Sequence, residues 1–185
     1  MFLDPFYRLA GSWLSPAGAN ARLSILIYHR VMAETDPLFP DEPTVDSFDT
    51  QMGQVRQVFN VLPLPEAISR LKSGTLPARA ACITFDDGYA DNLTRAAPIL
   101  KKHGLTATFF VASAYLNGGR MFNDTVIEAI RRTRANRVDL TKVAGLDLGK
   151  HDVSTPEAQA RAIGHILPIV KYLPLGQRED TVAEL

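Results

Sequence analysis

A short apolar run that ends in two adjacent acids constrains this chain more than any other stretch. The run, A-C-I-T-F-D-D-G-Y, extends from Ala81 to Tyr89. Its apolar part has the length of a strand buried in a sheet, and Gly88 can adopt the positive φ that lets the chain turn sharply. Asp86 and Asp87 are therefore predicted at the carboxyl end of a buried strand. In α/β folds, that edge of the sheet is where ligands bind.

The composition is that of an ordinary globular protein. The 185 residues suffice for one domain with its own core, and the apolar content of 46% and charged content of 22% do not favour disorder. Lys+Arg and Asp+Glu are equal at 20 each, so no global field favours nucleic acid, and no nucleic-acid partner is expected. The single cysteine, Cys82, excludes an internal disulfide and is expected to be a small core residue.

The N-terminal 22 residues are interpreted as a lead-in to the domain. Asp4 and Pro5 interrupt the first apolar stretch and no basic region precedes it, so no signal peptide is identified and a cytoplasmic location is the default. An amphipathic lead-in that docks on a membrane surface is the alternative to packing or disorder. No apolar run reaches the ~18 to 20 residues that a transmembrane helix needs, so no transmembrane segment is predicted.

The motif belongs to a predicted βαβ unit. A helix from Asn92 to His103, with Asp91 as its cap and Gly104 as its stop, separates the strand before Asp86 from another strand at Thr106–Ala112. Such a unit implies parallel strands and a right-handed crossover. A further buried strand, L-S-I-L-I-Y, is predicted at Leu23–Tyr28.

Helical periodicity accounts for most of the remaining chain. Asp46 or Ser47 is predicted to cap the first of these helices. The stretch from Val138 to Lys150 fits either one short strand or a solvated loop. The predicted helices cover residues 47–59, 65–72, 123–134, 156–172 and 178–185.

Residues that follow the strands of a parallel βα array gather on one face. His29 follows the first strand, so it is expected on the same face as Asp86 and Asp87, either within the site or as an ordinary hydrogen-bonded core histidine. His103 ends a helix, so it is expected on the opposite face as a partner of the helix dipole.

Two interpretations fit the acid pair. Asp-Gly is common turn chemistry, but two carboxylates at the end of a buried strand must stay hydrated or find a cation. One carboxylate can then bind a divalent metal while the other takes a proton from the metal-bound water, whose pKa falls towards ~7. A phosphatase of the haloacid dehalogenase type needs acids two residues apart, and Gly88 occupies that position.

The segments I-T-F-D-D-G-Y, from Ile83, and T-A-T-F-F-V-A, from Thr106, together with the helix between them, resemble the N-terminal part of the polysaccharide deacetylase family (NodB homology, carbohydrate esterase 4). The stretch L-I-Y-H-R-V, from Leu26, is similar to the first strand of members linked to exopolysaccharide and poly-N-acetylglucosamine. The resemblance covers residues 23–122, and residues 123–185 are then a helix-rich insertion or continuation of the same domain.

The resemblance implies a fold, a reaction and roles for individual residues. The fold would be a distorted, seven-stranded (β/α) barrel, incomplete in this chain. The reaction would be hydrolysis of N-acetyl groups on an amino-sugar polysaccharide with a divalent metal, usually zinc. The T-F-D-D-G match makes Asp86 the general base and Asp87 a metal ligand. His29 is a weaker candidate for substrate binding.

The departures from the family pattern are as informative as the match. No H-[ST]-x-x-[HS] pair occurs, and the later arginine and histidine motifs are missing. A catalytic zinc normally takes three protein ligands, of which the match supplies one. The chain is therefore expected to be a truncated or degenerate member and inactive in isolation, at most binding a glycan or a partner chain. A small amide or cyclic amide is a further alternative for the substrate.

Overall fold

The computed structural model describes residues 12–185, so residues 1–11 of the predicted lead-in lie outside the described part. The chain divides into two compact units: Met1–Thr35 with Asp41–Ala112, and Asp36–Pro40 with Ser113–Leu185. Among the described residues, no helix combines the length and apolar character that crossing a membrane requires.

The first unit is built on a four-stranded sheet with β3 at its centre. β1 runs along one side of β3 in parallel, whereas β2 and β4 share the other side, both also parallel. Every residue of β3 is buried, which explains its continuous apolar sequence. The α/β class and the parallel sheet are thus confirmed; the sheet that residues 12–185 form is open, and they close no barrel. The strands are β1 (Leu23–Tyr28), β2 (Asn60–Val61), β3 (Ala80–Phe85) and β4 (Thr108–Phe109).

Three helices pack in the first unit: α1 (Val45–Val58), α2 (Leu64–Lys72) and α3 (Ala97–His103). The prediction that Asp46 or Ser47 caps α1 was wrong, because the N-cap is Thr44. The Thr44 side chain accepts a hydrogen bond from the Ser47 backbone N–H, and the Ser47 hydroxyl accepts one from the Thr44 N–H. This reciprocal pair is a capping box with serine in the third position.

The predicted helix from Asn92 to His103 is interrupted. Residues Asn92–Ala96 form a π-helical turn, and the regular α3 begins only at Ala97. Pro98 offers a physical reason, because proline has no N–H to donate to the carbonyl four residues earlier and its ring crowds that carbonyl. The helix ends where predicted, at Gly104 with φ of 64°.

His103 lies in the last turn of α3 and contacts Asp49 of α1. Its Nε2 is 2.8 Å from Asp49 Oδ1, while Lys102 Nζ is 2.7 Å from Asp49 Oδ2. Hydrogen bonds from Lys102 and then His103 lower the pKa of the Asp49 carboxyl. The predicted core role of Cys82 is confirmed, since this residue is fully buried, and burial raises the pKa of its thiol.

The second unit combines three helices with an antiparallel hairpin. Its core contains Val126 and Ile166, both fully buried. Asp36 accepts hydrogen bonds of 2.9 and 2.6 Å from the guanidinium of Arg131. The stretch from Val138 to Lys150, predicted as one short strand or a loop, is mostly the loop that joins the two strands, and only its ends lie in them. The elements are α4 (Phe122–Arg132), β5 (Arg137–Asp139), β6 (Lys150–Asp152), α5 (Pro156–Lys171) and α6 (Leu175–Glu184).

An ion pair joins the two strands of the hairpin, and it predicts that the stability of the fold depends on pH. Asp139 accepts hydrogen bonds from Lys150 and Thr141, which lower its pKa to about 2. The folded-state pKa of Asp139 lies below the unfolded value of ~3.9, so the ionised carboxylate stabilises the folded protein at pH values above ~3.9. This stabilisation disappears as the pH falls towards the folded-state pKa.

We expect Asp139→Asn to lower the thermal midpoint near pH 7 and to be neutral near pH 2. Thermal unfolding followed by circular dichroism across this range measures the difference. Glu179→Gln, on the exposed part of α6, is the control and should show no such trend. A difference for Asp139→Asn that persists at pH 2 would contradict the prediction.

Candidate active site

The carboxyl ends of β1 and β3 lie side by side because the two strands pair in register. Tyr28 is opposite Phe85, so the next residues, His29 and Asp86, leave the sheet at the same level. The Asp86 N–H donates to the Tyr28 carbonyl at 2.9 Å, which extends the ladder by one bond beyond the strands. The structure therefore brings His29, Asp86 and Asp87 to one edge of the sheet, as the strand argument predicts.

A row of aromatic rings supports this edge. Tyr28, Phe85 and Phe109 end three neighbouring strands, and their rings stack with centroids 5.4 and 5.1 Å apart. Phe48 of α1 packs edge-on against Tyr28 and Phe85 at 5.2 and 5.8 Å. The Tyr28 hydroxyl donates to Gln51 at 3.2 Å, and burial raises the pKa of this tyrosine. Such packed rings give the strand ends a well-defined position.

The turn after β3 places two consecutive residues in the left-handed region. Asp87 has φ of 72° and Gly88 φ of 73°. For a residue other than glycine this conformation costs on the order of 1–3 kcal/mol. Two backbone hydrogen bonds hold the turn: Gly88 N–H to the Asp86 carbonyl at 2.9 Å, and Ala112 N–H to the Asp87 carbonyl at 3.2 Å.

The two carboxylates are half-buried and have no hydrogen-bond or ion-pair partner among the described residues. Asp91, a buried acid beside this edge, has a counter-charge in Arg30. Adjacent carboxylates that lack a counter-charge favour the approach of a cation or of a proton donor. Within residues 12–185, neither the Asp86 nor the Asp87 side chain is therefore held by a hydrogen bond or an ion pair.

A catalytic zinc takes three protein ligands. Within residues 12–185, no three His, Cys, Asp or Glu side chains are grouped so that they could hold a metal ion. His29 is exposed at the same edge, yet it does not complete such a group with the two acids. These residues alone do not fit a complete zinc site.

A buried polar network beside the edge was not predicted from the sequence. Arg30 donates through Nε and Nη2 to Asp91 Oδ2 at 2.9 and 2.8 Å, and the Val31 N–H donates to Asp91 Oδ1 at 3.2 Å. Asn92 Nδ2 donates to the His29 carbonyl at 2.8 Å. Asp91 occupies the predicted N-cap position, but its carboxylate makes no cap hydrogen bond and accepts instead from the segment after β1. An acid-amide pair close after the motif, and an arginine just after the paired strand, were the available signals.

Gly88 is required for steric reasons as well as for its φ. A Cβ at this position would lie 2.9 Å from Val111 Cγ1 and 3.3 Å from Val111 Cα. At Gly104, with a similar φ of 64°, a Cβ would meet nothing within 4 Å. The two glycines therefore separate the cost of a left-handed conformation from the cost of a clash.

We expect Gly88→Ala to lower the free energy of unfolding by about 2–4 kcal/mol, combining left-handed strain with overpacking. Gly104→Ala should lose only the strain component, about 1–2 kcal/mol. Urea unfolding of both variants measures the two losses. Equal losses would show that Val111 moves aside without cost.

Part of the chain is similar to known proteins. Residues 73–162 match the family model of polysaccharide deacetylases. YxkH of Bacillus subtilis, assigned to the polysaccharide deacetylases, is 34% identical over 93 residues, which are 49% of this chain and 32% of that protein. The chain thus spans about a third of the length of this curated relative.

Several solved structures of deacetylases are also similar. The de-N-acetylase of Aggregatibacter actinomycetemcomitans is 27% identical with a TM-score of 0.46, covering 52% of this chain and 40% of that one. The deacetylase PplD of Streptococcus pyogenes, solved with acetate, is 25% identical with a TM-score of 0.45, covering 56% and 50%. IcaB of Ammonifex degensii is 24% identical with a TM-score of 0.46, covering 63% and 50%.

Proposed function

We propose that this chain, whose residues 73–162 match the family model of polysaccharide deacetylases, contributes Asp86 and Asp87 to the hydrolysis of N-acetyl groups on an amino-sugar polysaccharide. The observation that carries the proposal is the pair of half-buried carboxylates that have no partner among residues 12–185, at the carboxyl end of the buried central strand. The seven-stranded barrel is part of the same proposal, with the open sheet of the first unit as one portion of its wall.

Asp86 is proposed as the general base. It accepts a proton from the water whose oxygen attacks the acetamide carbon, the C–N bond then breaks, and a proton passes to the departing nitrogen. The products are acetate and a free amine. A general base needs free lone pairs within hydrogen-bond reach of the water, and the unpartnered Asp86 carboxylate offers them.

Asp87 is proposed as one ligand of a divalent metal, most simply zinc, as the family resemblance implies. The metal, when bound, supplies positive charge to the water and to the acetamide oxygen. Since residues 12–185 do not group three donors, the base chemistry of Asp86 is the step that this chain can be assigned. His29, exposed at the same edge, is proposed to hydrogen-bond the sugar.

An inactive module that binds a glycan or a partner chain is the second candidate. The shortage of metal donors favours it, and so does β1, which lies at an edge of the sheet with Ile25 and Ile27 exposed at 48% and 61%. An uncovered edge strand with apolar side chains invites association. A zinc-free monomer on size-exclusion chromatography that binds chito-oligosaccharide would support this candidate over the hydrolase.

The ligand role of Asp87 is tested by zinc titration of the purified chain. We expect Asp87→Ala to weaken zinc binding at least about tenfold, since losing a ligand costs no less than losing its supporting contacts. Asp41→Ala, at an exposed acid of the same unit, is the matched control and should bind as the unchanged chain does. Equal affinities for all three proteins would overturn the assignment.

Turnover is tested separately by acetate release from N-acetylglucosamine oligomers in the presence of zinc. We expect none from this chain, because residues 12–185 group too few donors for a catalytic metal. Robust release that Asp86→Asn abolishes would confirm the base and show that the donor count is wrong. Release that persists in Asp86→Asn would overturn the role proposed for Asp86.

A further inference from the structure

We propose that Asp91 and Asn92 are positioning residues that hold the segment after β1, and His29 with it, at a fixed place beside Asp86 and Asp87. Their importance for catalysis rests on the proposed function. Their effect on the geometry of the edge does not, because it follows from contacts within the first unit.

Asp91 and Asn92 contact three consecutive residues after β1. Asn92 Nδ2 donates to the His29 carbonyl at 2.8 Å. The Arg30 guanidinium donates twice to Asp91 Oδ2, and the Val31 N–H donates to Asp91 Oδ1. A segment that leaves a strand without further ladder partners is thereby fixed at both its backbone and its side chain.

Burial makes this network costly to rearrange. Asp91 is 5% exposed and Asn92 4% exposed. A carboxylate at that depth needs charge-assisted donors, and Arg30 provides two of them. The guanidinium of Arg30 also lies 4.6 Å from the centroid of the Tyr89 ring, in cation–π range. Moving the segment would therefore leave the Asp91 charge buried without its counter-charge.

The backbone that carries the pair is itself unusual. Asn92 begins the π-helical turn Asn92–Ala96, a rare arrangement that is frequent at functional sites. The extra residue in this turn changes the angular position of Asn92 relative to α3. Asn92 thereby reaches the end of β1 while Ile99 and Leu100 of α3 remain buried in the core. Arg95, from the same turn, donates to the Val31 carbonyl at 3.0 Å.

The test removes one hydrogen-bond donor and measures the local order of the backbone. Asn92→Asp keeps the size of the side chain but cannot donate to the His29 carbonyl. Asn60→Asp is the matched control, since Asn60 Nδ2 donates to the Ala78 carbonyl at 2.7 Å, close to the amino end of β3. Backbone order parameters from ¹⁵N relaxation, measured well below the thermal midpoint, report the result without metal or substrate.

We expect the order parameters of His29, Arg30 and Val31 to fall from about 0.85 to below about 0.6 in Asn92→Asp, and to stay unchanged in Asn60→Asp. A merely structural role would lower the thermal midpoint and leave these values high. Order that is retained at residues 29–31, or lost equally throughout the first unit, would overturn the proposal.

A second variant decides the matter if Asn92→Asp does not fold. Arg30→Lys keeps the charge at a position that is 39% exposed but loses the two-pronged donation to Asp91. We expect a smaller fall in order, confined to residues 29–31, and unchanged values at Asp86 and Asp87. No change in Arg30→Lys would refute the proposal, whereas the deacetylase assay tests the proposed function independently.

Discussion

The in-register parallel pairing of β1 with β3 is the interaction on which the candidate site depends. It runs without a break from Leu23 opposite Ala80 to Tyr28 opposite Phe85. A slip of one residue would turn every side chain of β1 to the other face, separating the Tyr28 ring from Phe85. The stacked rings therefore fix the register, and the register in turn decides which residue of β1 emerges beside Asp86.

The acids at this edge of the sheet differ in whether they have a hydrogen-bond or ion-pair partner. Asp91 is almost fully buried and paired with Arg30, whereas Asp86 and Asp87 are only half-buried and have no partner among the described residues. Asp87 also adopts a left-handed backbone conformation. Natural sequences tolerate such local conflicts mainly where function needs them. The unfavourable features thus coincide with the two residues that the family resemblance marks as functional.

Local sequence patterns predicted much of this structure. The bounds of β1 and the end of α3 at Gly104 were correct because burial, strand length and glycine chemistry are local. The roles of Asp91 and Asn92 were missed because their partners, Arg30 and His29, lie 61 and 63 residues away in the sequence. A capping preference is a local argument, and a counter-charge from a segment distant in the sequence overrides it. The roles of His29, Asp86 and Asp87 remain predictions, since the structure shows their placement and not their chemistry.

The split course of the second unit has a consequence for the order in which the chain can fold. Asp36–Pro40 belongs to that unit, with Leu38 in its core, although these residues precede most of the first unit in the chain. The bond between Asp36 and Arg131 closes a loop of 95 residues, and the entropy of closing it opposes early formation. During synthesis, Leu38 must wait for α4 before it can be buried. A proteolytic cut between Ala112 and Ser113 would accordingly release a C-terminal fragment that lacks part of its own core.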